Sequence, residues 1–208
     1  ACAPYRRLHL CDHNLETIET TSTASDTLLA EVCYAAKEEG ETLTTQHGQH
    51  KRTNNESQLC TVLARSFADI GDIVRGKDLY RGNKQEKEKR KQLYKKLKVI
   101  FAKIHSDVTS SGSNVKTLKD RYKKDKDPNF FQLREDWWMA NRDQVWKAIT
   151  CDAQSFDYFR HTCNGGERTK GYCRCDDKPK DGNGDVNIVP TYFDYVPQYL
   201  RWFEEWAE

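Results

Sequence analysis

The distribution of eight cysteines constrains the fold of this 208-residue chain more than any other feature. The stretch between Cys60 and Cys151 contains no cysteine at all. An even number of cysteines is typical of a chain that matures in an oxidising compartment and is crosslinked by disulfides. The residues predicted to be disulfide cysteines are Cys2, Cys11, Cys33, Cys60, Cys151, Cys163, Cys173 and Cys175. Their connectivity stays open, and Cys2 or another could pair with a cysteine outside this sequence.

Apolar residues recur at helical spacing through most of the chain, whereas strand signals are scarce. One helix is predicted from the Ser25/Asp26 cap signal to a stop at Gly40, followed by a polar loop over 41–54. Further helices are predicted over 59–70 (ending at Gly71), 83–105, 114–124, 128–149 and 197–206, with a loop over 162–189. The predicted fold is therefore mainly α, a disulfide-linked helical bundle with long loops. Cys33 and Cys60 lie on apolar faces and could join two helices or remain buried thiols.

Positive charge is concentrated in one block of the sequence. Residues 75–126 contain 18 Lys and Arg against 6 Asp and Glu, a local charge of +12, whereas the rest of the chain sums to −10. Lysines in the third predicted helix recur at spacings of 3, 4, 4 and 3, which places them on one helical face. The candidate binding lysines of the two basic helices are Lys84, Lys87, Lys91, Lys95, Lys98, Lys116, Lys119 and Lys123. The alternative is a solvated helix face without a ligand.

A surface of one sign attracts partners of the opposite sign and speeds their association. Nucleic acid is disfavoured as the partner, because no zinc-finger or RRM signature is present and disulfide-rich chains usually occur where nucleic acid is scarce. A sulfated or otherwise acidic glycan on a cell surface meets the same electrostatic demand in the right compartment. We therefore predict an acidic glycan as the partner.

Other candidate sites are weaker. His161, Cys163, Cys173 and Cys175 suggest a zinc site, but the C-x-C spacing fits zinc poorly and disulfides are favoured. The segment Cys11-Asp12-His13 pairs a nucleophile with a base, yet neighbours in sequence rarely face each other as catalysis requires. No HExxH, P-loop or dinucleotide-binding motif is present. We predict a protein that is not an enzyme and has no metal and no cofactor.

Three further features have simple interpretations. Asn55-Glu56-Ser57 is a glycosylation sequon, although Asn55 is equally expected as a helix cap. Trp202, Phe203 and Trp206 are predicted to be core residues, with an exposed aromatic binding face as the alternative. No apolar run approaches about 18 residues, so neither a membrane-spanning helix nor a signal peptide is predicted.

Four sequence segments occur in a characteristic order. They are CAPYRRLHLCDHNL (2–15), ARSFADIGDIVRGKDLY (64–80), WWMANRDQVW (137–146) and VPQYLRWFEEW (196–206). Together they resemble the Duffy-binding-like domain, alpha class, of the variant erythrocyte membrane proteins of the malaria parasite. Residues 1–208 would then form a partial domain, mostly the central helical subdomain with flanking pieces.

The resemblance implies a host-cell adhesion module on the surface of the infected erythrocyte, held there by a membrane anchor further downstream. The implied partners are red-cell or endothelial receptors, among them heparan sulfate, blood-group glycans and complement receptor one, and the implied activity includes rosetting. The alternative is an antigenically variable structural head module that positions an adjacent receptor-binding domain. No binding residue of the family transfers by motif, so the lysine assignments depend on charge alone.

Overall fold

The computed structural model describes residues 2–11, 24–50, 58–110, 112–163, 166–176 and 188–207. Within these ranges all regular elements are helices, and the nearest approach to a strand is an isolated bridge between Cys163 and Glu167. The helices are α1 Tyr5–Leu8, α2 Ala24–His50, α3 Leu59–Arg75, α4 Lys84–Ser110, α5 Val115–Arg121, α6 Phe131–Ile149 and α7 Gln198–Ala207, with a 3₁₀ turn at Phe193–Tyr195. The prediction of a mainly α, disulfide-linked fold is confirmed.

The core lies where α2, α3 and α6 pack together, with α4 lying against α2 and α6. Trp138 and Trp146 of α6 are fully buried, and the centroid of each indole lies 5.1 Å from the ring of Phe67 in α3. Trp137 meets Phe101 of α4 edge to face, with ring centroids 6.0 Å apart. Aromatic side chains bury large apolar areas, which explains how a chain of low apolar content forms a packed interior.

Gly40 does not end α2, and the prediction of a loop over 41–54 is wrong for 41–50, while 51–54 lie outside the described residues. The glycine instead marks the close approach of α2 to the end of α6. A Cβ at position 40 would overlap the backbone carbonyl of Ile149. Close packing of two backbones therefore explains this glycine better than helix termination.

Gly71 is also internal to its helix, because α3 continues to Arg75. A Cβ at Gly71 would lie 2.7 Å from the indole of Trp138, so this glycine again makes room for a neighbour. The helix ends at Gly76, which has the left-handed φ of 76° that glycine adopts without steric cost. α4 extends beyond its predicted end to Ser110, and α6 begins at Phe131 rather than at the Asp127-Pro128 signal.

Replacing Gly40 by alanine should destabilise the fold even though alanine favours a helix interior by about 1 kcal/mol. Overpacking usually costs about 1–3 kcal/mol, and here the obstacle is backbone that cannot move aside alone. Because the Cβ would overlap the carbonyl oxygen of Ile149, we expect a cost at the upper end of this range and a net loss of about 2 kcal/mol in the free energy of unfolding, measured by urea denaturation. Gly48→Ala in the same helix is the control, because a Cβ there has no neighbour within 4 Å. Equal effects at both positions would contradict this packing role.

A cluster of buried charges surrounds the middle of α3. Asp69, Asp72 and Arg75 follow one another at intervals of three residues, and all three are buried. Asp69 accepts hydrogen bonds from Arg6 of α1 and Arg201 of α7, both at 2.7 Å. Asp72 accepts from Arg201 at 2.6 Å and from Arg75 at 2.9 Å. These ion pairs connect the first and last described helices through α3.

A second buried carboxylate, Asp194 in the 3₁₀ turn, extends this arrangement to α6. It accepts two hydrogen bonds from Arg142, at 2.7 and 2.8 Å, and one from the indole of Trp138 at 2.8 Å. Arg75 donates to the backbone carbonyl of the same residue. The buried ionic network therefore holds the turn before α7 against both α3 and α6.

Two disulfides fasten the loop after α6 to the bundle. Cys60 in the first turn of α3 is bonded to Cys173, and Cys163 is bonded to Cys175. The alternative of a bond between Cys33 and Cys60 is therefore wrong. The indole of Trp146 donates to the carbonyl of Cys173 at 3.1 Å, which helps to bring this loop to α3 rather than to α2.

The prediction that all eight cysteines are bonded is wrong. Within the described residues Cys2, Cys33 and Cys151 form no disulfide, and Cys11 belongs to neither of the two bonds. Pairing of Cys2 or another cysteine with one outside this sequence stays a prediction. Cys33 is half-buried on α2, where burial, aided by the charge of Asp143, raises the pKa of its thiol to about 11. Such a thiol stays protonated at neutral pH and is unreactive.

Candidate functional site: the lysines of α4 and α5

α4 presents an apolar face to the core and a lysine face to solvent. The predicted apolar stripe, Leu93, Leu97, Ile100 and Ile104, is buried, and Phe101 extends it. Lys84, Lys87, Lys91 and Lys95 are exposed, as their spacing along the helix requires if the apolar stripe faces inward. The same periodicity thus makes α4 both a part of the core and a charged surface.

The lysines of α4 are not equivalent. In the described part of the chain, no carboxylate forms an ion pair with Lys84, Lys87 or Lys95. Lys91 lies 3.9 Å from Glu88, an exposed contact that contributes little energy. Lys98 is half-buried and donates to the side-chain oxygen of Asn129 at 3.0 Å, so it helps to hold the segment before α6. Four of the five predicted lysines remain accessible to a ligand.

α5 places a second group of lysines beside α4. The Nε2 of His105 in α4 lies 2.8 Å from the carbonyl oxygen of Tyr122, just after α5, so the two basic helices are neighbours. Lys116, Lys119 and Lys123 are exposed, and only Lys123 has a nearby carboxylate among the described residues, Asp120 at 3.5 Å. We call the exposed members of the predicted set the lysine face: Lys84, Lys87, Lys91 and Lys95 of α4, Lys116 and Lys119 of α5, and Lys123 just after α5.

A polar anchor fixes α5 against α6. Arg121 makes two hydrogen bonds to the carboxylate of Asp136, at 2.6 and 2.7 Å, and the hydroxyl of Tyr122 donates to it at 2.7 Å. The hydrogen bonds from Arg121 outweigh the effect of burial and hold the pKa of Asp136 below its ordinary value. These hydrogen bonds fix the position of α5, and with it the positions of its lysines, relative to α6. Sequence periodicity could not reveal this contact because α5 and α6 are separate elements.

The structure tests only some of the other candidate sites that the sequence suggested. The zinc site is wrong, because Cys163, Cys173 and Cys175 are all bonded in disulfides. His161 instead accepts a hydrogen bond at its Nε2 from Arg168 at 2.7 Å. Asp12, His13 and the sequon at 55–57 lie outside the described residues.

The aromatic end of the chain is only partly a core element. Trp202 is 3% exposed, whereas Phe203 and Trp206 are 70% and 60% exposed. α7 buries only Gln198, Arg201 and Trp202 in its first half. The prediction that all three aromatic residues are core is therefore wrong for Phe203 and Trp206. None of the described helices combines the length and the apolarity needed to cross a bilayer.

Comparison with solved structures finds the same fold in domains of a Plasmodium falciparum membrane protein. The NTS-DBL1(alpha-1) domain of Plasmodium falciparum membrane protein 1 (PfEMP1) from the varO strain is 41% identical, with a TM-score of 0.74, and the match covers 100% of this chain and 43% of that chain. The NTS-DBL1-alpha and CIDR-gamma double domain of the same strain is 42% identical, with a TM-score of 0.77, 100% coverage of this chain and 28% of that chain. Our chain therefore spans less than half the length of these structures.

A more distant structure is a PfEMP1 DBLb domain bound to human ICAM-1, which is 28% identical, with a TM-score of 0.63 and coverage of 98% of this chain and 39% of that chain. Comparison with curated protein sequences gave no match. A family profile described as the Duffy binding domain matches residues 1–201. The profile covers almost the whole chain, and the identity to the two alpha domains (41% and 42%) is higher than that to the DBLb domain (28%). The chain therefore belongs to the Duffy binding domain family.

Proposed function

We propose that this chain is part of a host-cell adhesion module that binds a sulfated glycan, with heparan sulfate as the best match, through the lysine face. The observation that carries the proposal is the set of exposed lysines on two adjacent helices that have few carboxylate partners within the fold. Because the fold makes little use of their charge, a ligand can neutralise it without breaking internal ion pairs.

The relatives support a receptor on the host cell as the partner. One of them is bound to human ICAM-1, and others are domains of P. falciparum membrane protein 1. For this chain we propose display on the infected erythrocyte, with rosetting as the activity. Blood-group glycans and complement receptor one are further candidate partners. Heparan sulfate makes the fullest use of the lysine face, because sulfates and carboxylates repeat along its length.

Polyanion binding has a characteristic energetic signature. Each lysine that neutralises a fixed anionic group releases condensed counterions, and the affinity then falls steeply as salt rises. A lysine on a solvated face with no ligand gives no such dependence. Retention on immobilised heparin, eluted with a salt gradient, therefore distinguishes the two interpretations of the same sequence pattern.

The test removes three charges from the centre of the lysine face of α4. The variant Lys87→Gln, Lys91→Gln and Lys95→Gln should elute at clearly lower salt than the unmodified chain, because each lost contact weakens binding. The glutamines keep the helix, since glutamine and lysine have similar helix propensities. Unchanged elution would show that this face is solvated and binds no heparin.

A matched control separates local contacts from net charge. Lys37→Gln, Lys147→Gln and Lys170→Gln remove the same charge from exposed positions outside the lysine face. This control should elute close to the unmodified chain. If it shifts as much as the test variant, retention follows the total charge and the lysine face has no special role.

The exposed aromatic residues of α7 favour a second candidate function. Phe203, Trp206 and Tyr199 present apolar surface that a neighbouring part of a longer protein could cover. In that case the chain is a structural head module that positions an adjacent receptor-binding domain. Absence of any salt-dependent retention on heparin by the unmodified chain would favour this alternative.

A further inference from the structure

A small pocket opens between the segment after α3 and the first half of α4. Its volume is about 210 Å³. It is lined on its polar side by Gly76, Asp78, Tyr80, Arg90, Lys91 and Tyr94. This is smaller than the roughly 300–1,000 Å³ typical of sites for drug-sized ligands, and it suits a single sugar ring.

Next to this pocket lies a buried cation that forms no ion pair among the described residues. Arg134 of α6 is fully buried, and no hydrogen-bond acceptor among the described residues reaches any of its three guanidinium nitrogens. The guanidinium carbon instead lies 5.4 Å from the ring centroid of Tyr94, 5.1 Å from that of Phe101 and 5.9 Å from that of Phe131. Burial lowers the pKa of Arg134 and outweighs the opposing electrostatic effects of Tyr94 and Asp127.

Other buried arginines of the bundle show how unusual this is. Arg142 is paired with Asp194 and Arg201 with Asp69, each at 2.7 Å. A buried charge without a partner normally costs several kcal/mol, and three contacts with aromatic rings do not replace a carboxylate. An anionic ligand that approached Arg134 would recover part of that cost.

Two residues connect Arg134 to the pocket. Gly76 and Tyr94 both line the pocket and both contact the arginine. A Cβ at Gly76 would lie 2.8 Å from the Nη1 of Arg134, so glycine alone leaves room on this side of the guanidinium. Tyr94 is 38% exposed, so it reaches the surface while its ring contacts the arginine. Arg134 does not line the pocket itself, and these two residues form part of the wall that separates it from the pocket.

The pocket as a whole favours an anion. The carboxylate among its lining residues, Asp78, is already paired with Arg7 at 2.7 Å and with Arg90. Lys91 stands at the rim and is exposed. Arg90 and Lys91 line the pocket, and Arg7 also pairs with Asp78, so the cations around this lining carboxylate are in excess. The aromatic ring of Tyr94 offers an apolar surface of the kind on which sugar rings pack.

We propose that this pocket is a subsite for one acidic sugar unit, a uronate or a sulfated hexose, whose anionic group is attracted by Arg134 across the wall formed by Gly76 and Tyr94 while its ring packs on Tyr94. The inference rests on the proposed function, because the same glycan chain would continue from the pocket along the lysines of α4. Lys91 belongs to both surfaces.

The test uses a heparin-derived disaccharide as a probe of the pocket alone. Replacing Arg134 by methionine removes the charge and keeps a long side chain. The variant should bind the disaccharide at least about tenfold more weakly, because the bound anion loses the attraction of a cation that faces it across protein of low dielectric constant. Its thermal stability should be unchanged or higher, because an unpaired buried charge has been removed. Calorimetric titration and thermal unfolding measure the two effects.

Two further variants make the result decisive. Tyr94→Leu changes a partly exposed residue of α4 that lines the pocket, and it should also weaken binding of the disaccharide. This second variant keeps the test valid if the Arg134 variant misfolds. Lys87→Gln with Lys95→Gln should lower retention on long heparin while leaving disaccharide affinity unchanged.

The outcomes separate the subsite from the lysine face. Equal disaccharide affinity in the unmodified chain and in the Arg134 and Tyr94 variants would overturn the subsite, as would failure of the unmodified chain to bind the disaccharide. Long heparin would still be retained if the lysine face is right. If the Lys87 and Lys95 changes leave retention on long heparin unchanged, the proposed function is overturned, whatever the affinity for the disaccharide.

Discussion

Replacing Asp69 by asparagine should lower the free energy of unfolding by about 3–5 kcal/mol, the usual cost of breaking a buried ion pair from one side. The change leaves Arg6 and Arg201 buried without the carboxylate that both contact at 2.7 Å. Urea denaturation followed by circular dichroism measures the loss. Asp107→Asn is the matched control, because its partner Lys103 is exposed and such surface pairs contribute about 0–1 kcal/mol.

The same residue gives a prediction for acid. Burial alone would raise the pKa of Asp69, but the charges of Arg6 and Arg201 outweigh it and hold the pKa below its ordinary value. Its contribution to stability is therefore complete above the ordinary aspartate pKa of about 3.9 and is lost as the pH falls through the folded value. The unmodified chain should lose more stability than the Asp69 variant on acidification below about pH 4. Parallel losses would show that Asp69 does not titrate as proposed.

Removing the disulfide between Cys60 and Cys173 should have an effect of similar size. The two cysteines are 113 residues apart, and the chain-entropy model gives about 4–5 kcal/mol for closing a loop of this length. Alanine at both positions avoids burying hydroxyl groups. Denaturant unfolding of the double variant measures the loss.

The second disulfide is the natural comparison. Cys163 and Cys175 are 12 residues apart, so their removal should cost about 2 kcal/mol less than removal of the longer crosslink. Equal losses of stability in the two double variants would contradict this dependence on loop length. The two crosslinks would then act through local packing.

Helix type and order were predictable because the apolar period is strong, but helix ends were not. Gly40 and Gly71 look like stop signals in the sequence, yet each faces a backbone or an indole of α6. A glycine that ends a helix and one that admits a neighbour are identical in sequence, and only the tertiary contact distinguishes them. Gly76, the true end of α3, is distinguished by its positive φ.

Among the charged residues, too, some positions were predictable from the sequence and others depend on tertiary contacts. The exposed lysines of α4 follow from periodicity, because a helix that buries Leu93 and Leu97 must expose the opposite side. Lys98 belongs to that stripe in sequence but contacts Asn129. The sequence does not reveal the partners of Asp69 and Arg134, since pairing across helices depends on which faces meet. A hint was available in the charged residues at intervals of three along the otherwise apolar α3.

The salt dependence of heparin affinity tests most directly the claim that the lysine face is a polyanion site. For the unmodified chain, the logarithm of the affinity should fall linearly with the logarithm of salt concentration. Neutralising Lys87, Lys91 and Lys95 should reduce that slope by about three, roughly one for each lost contact, while the control at Lys37, Lys147 and Lys170 should keep it. Equal slopes for the two variants would contradict the account.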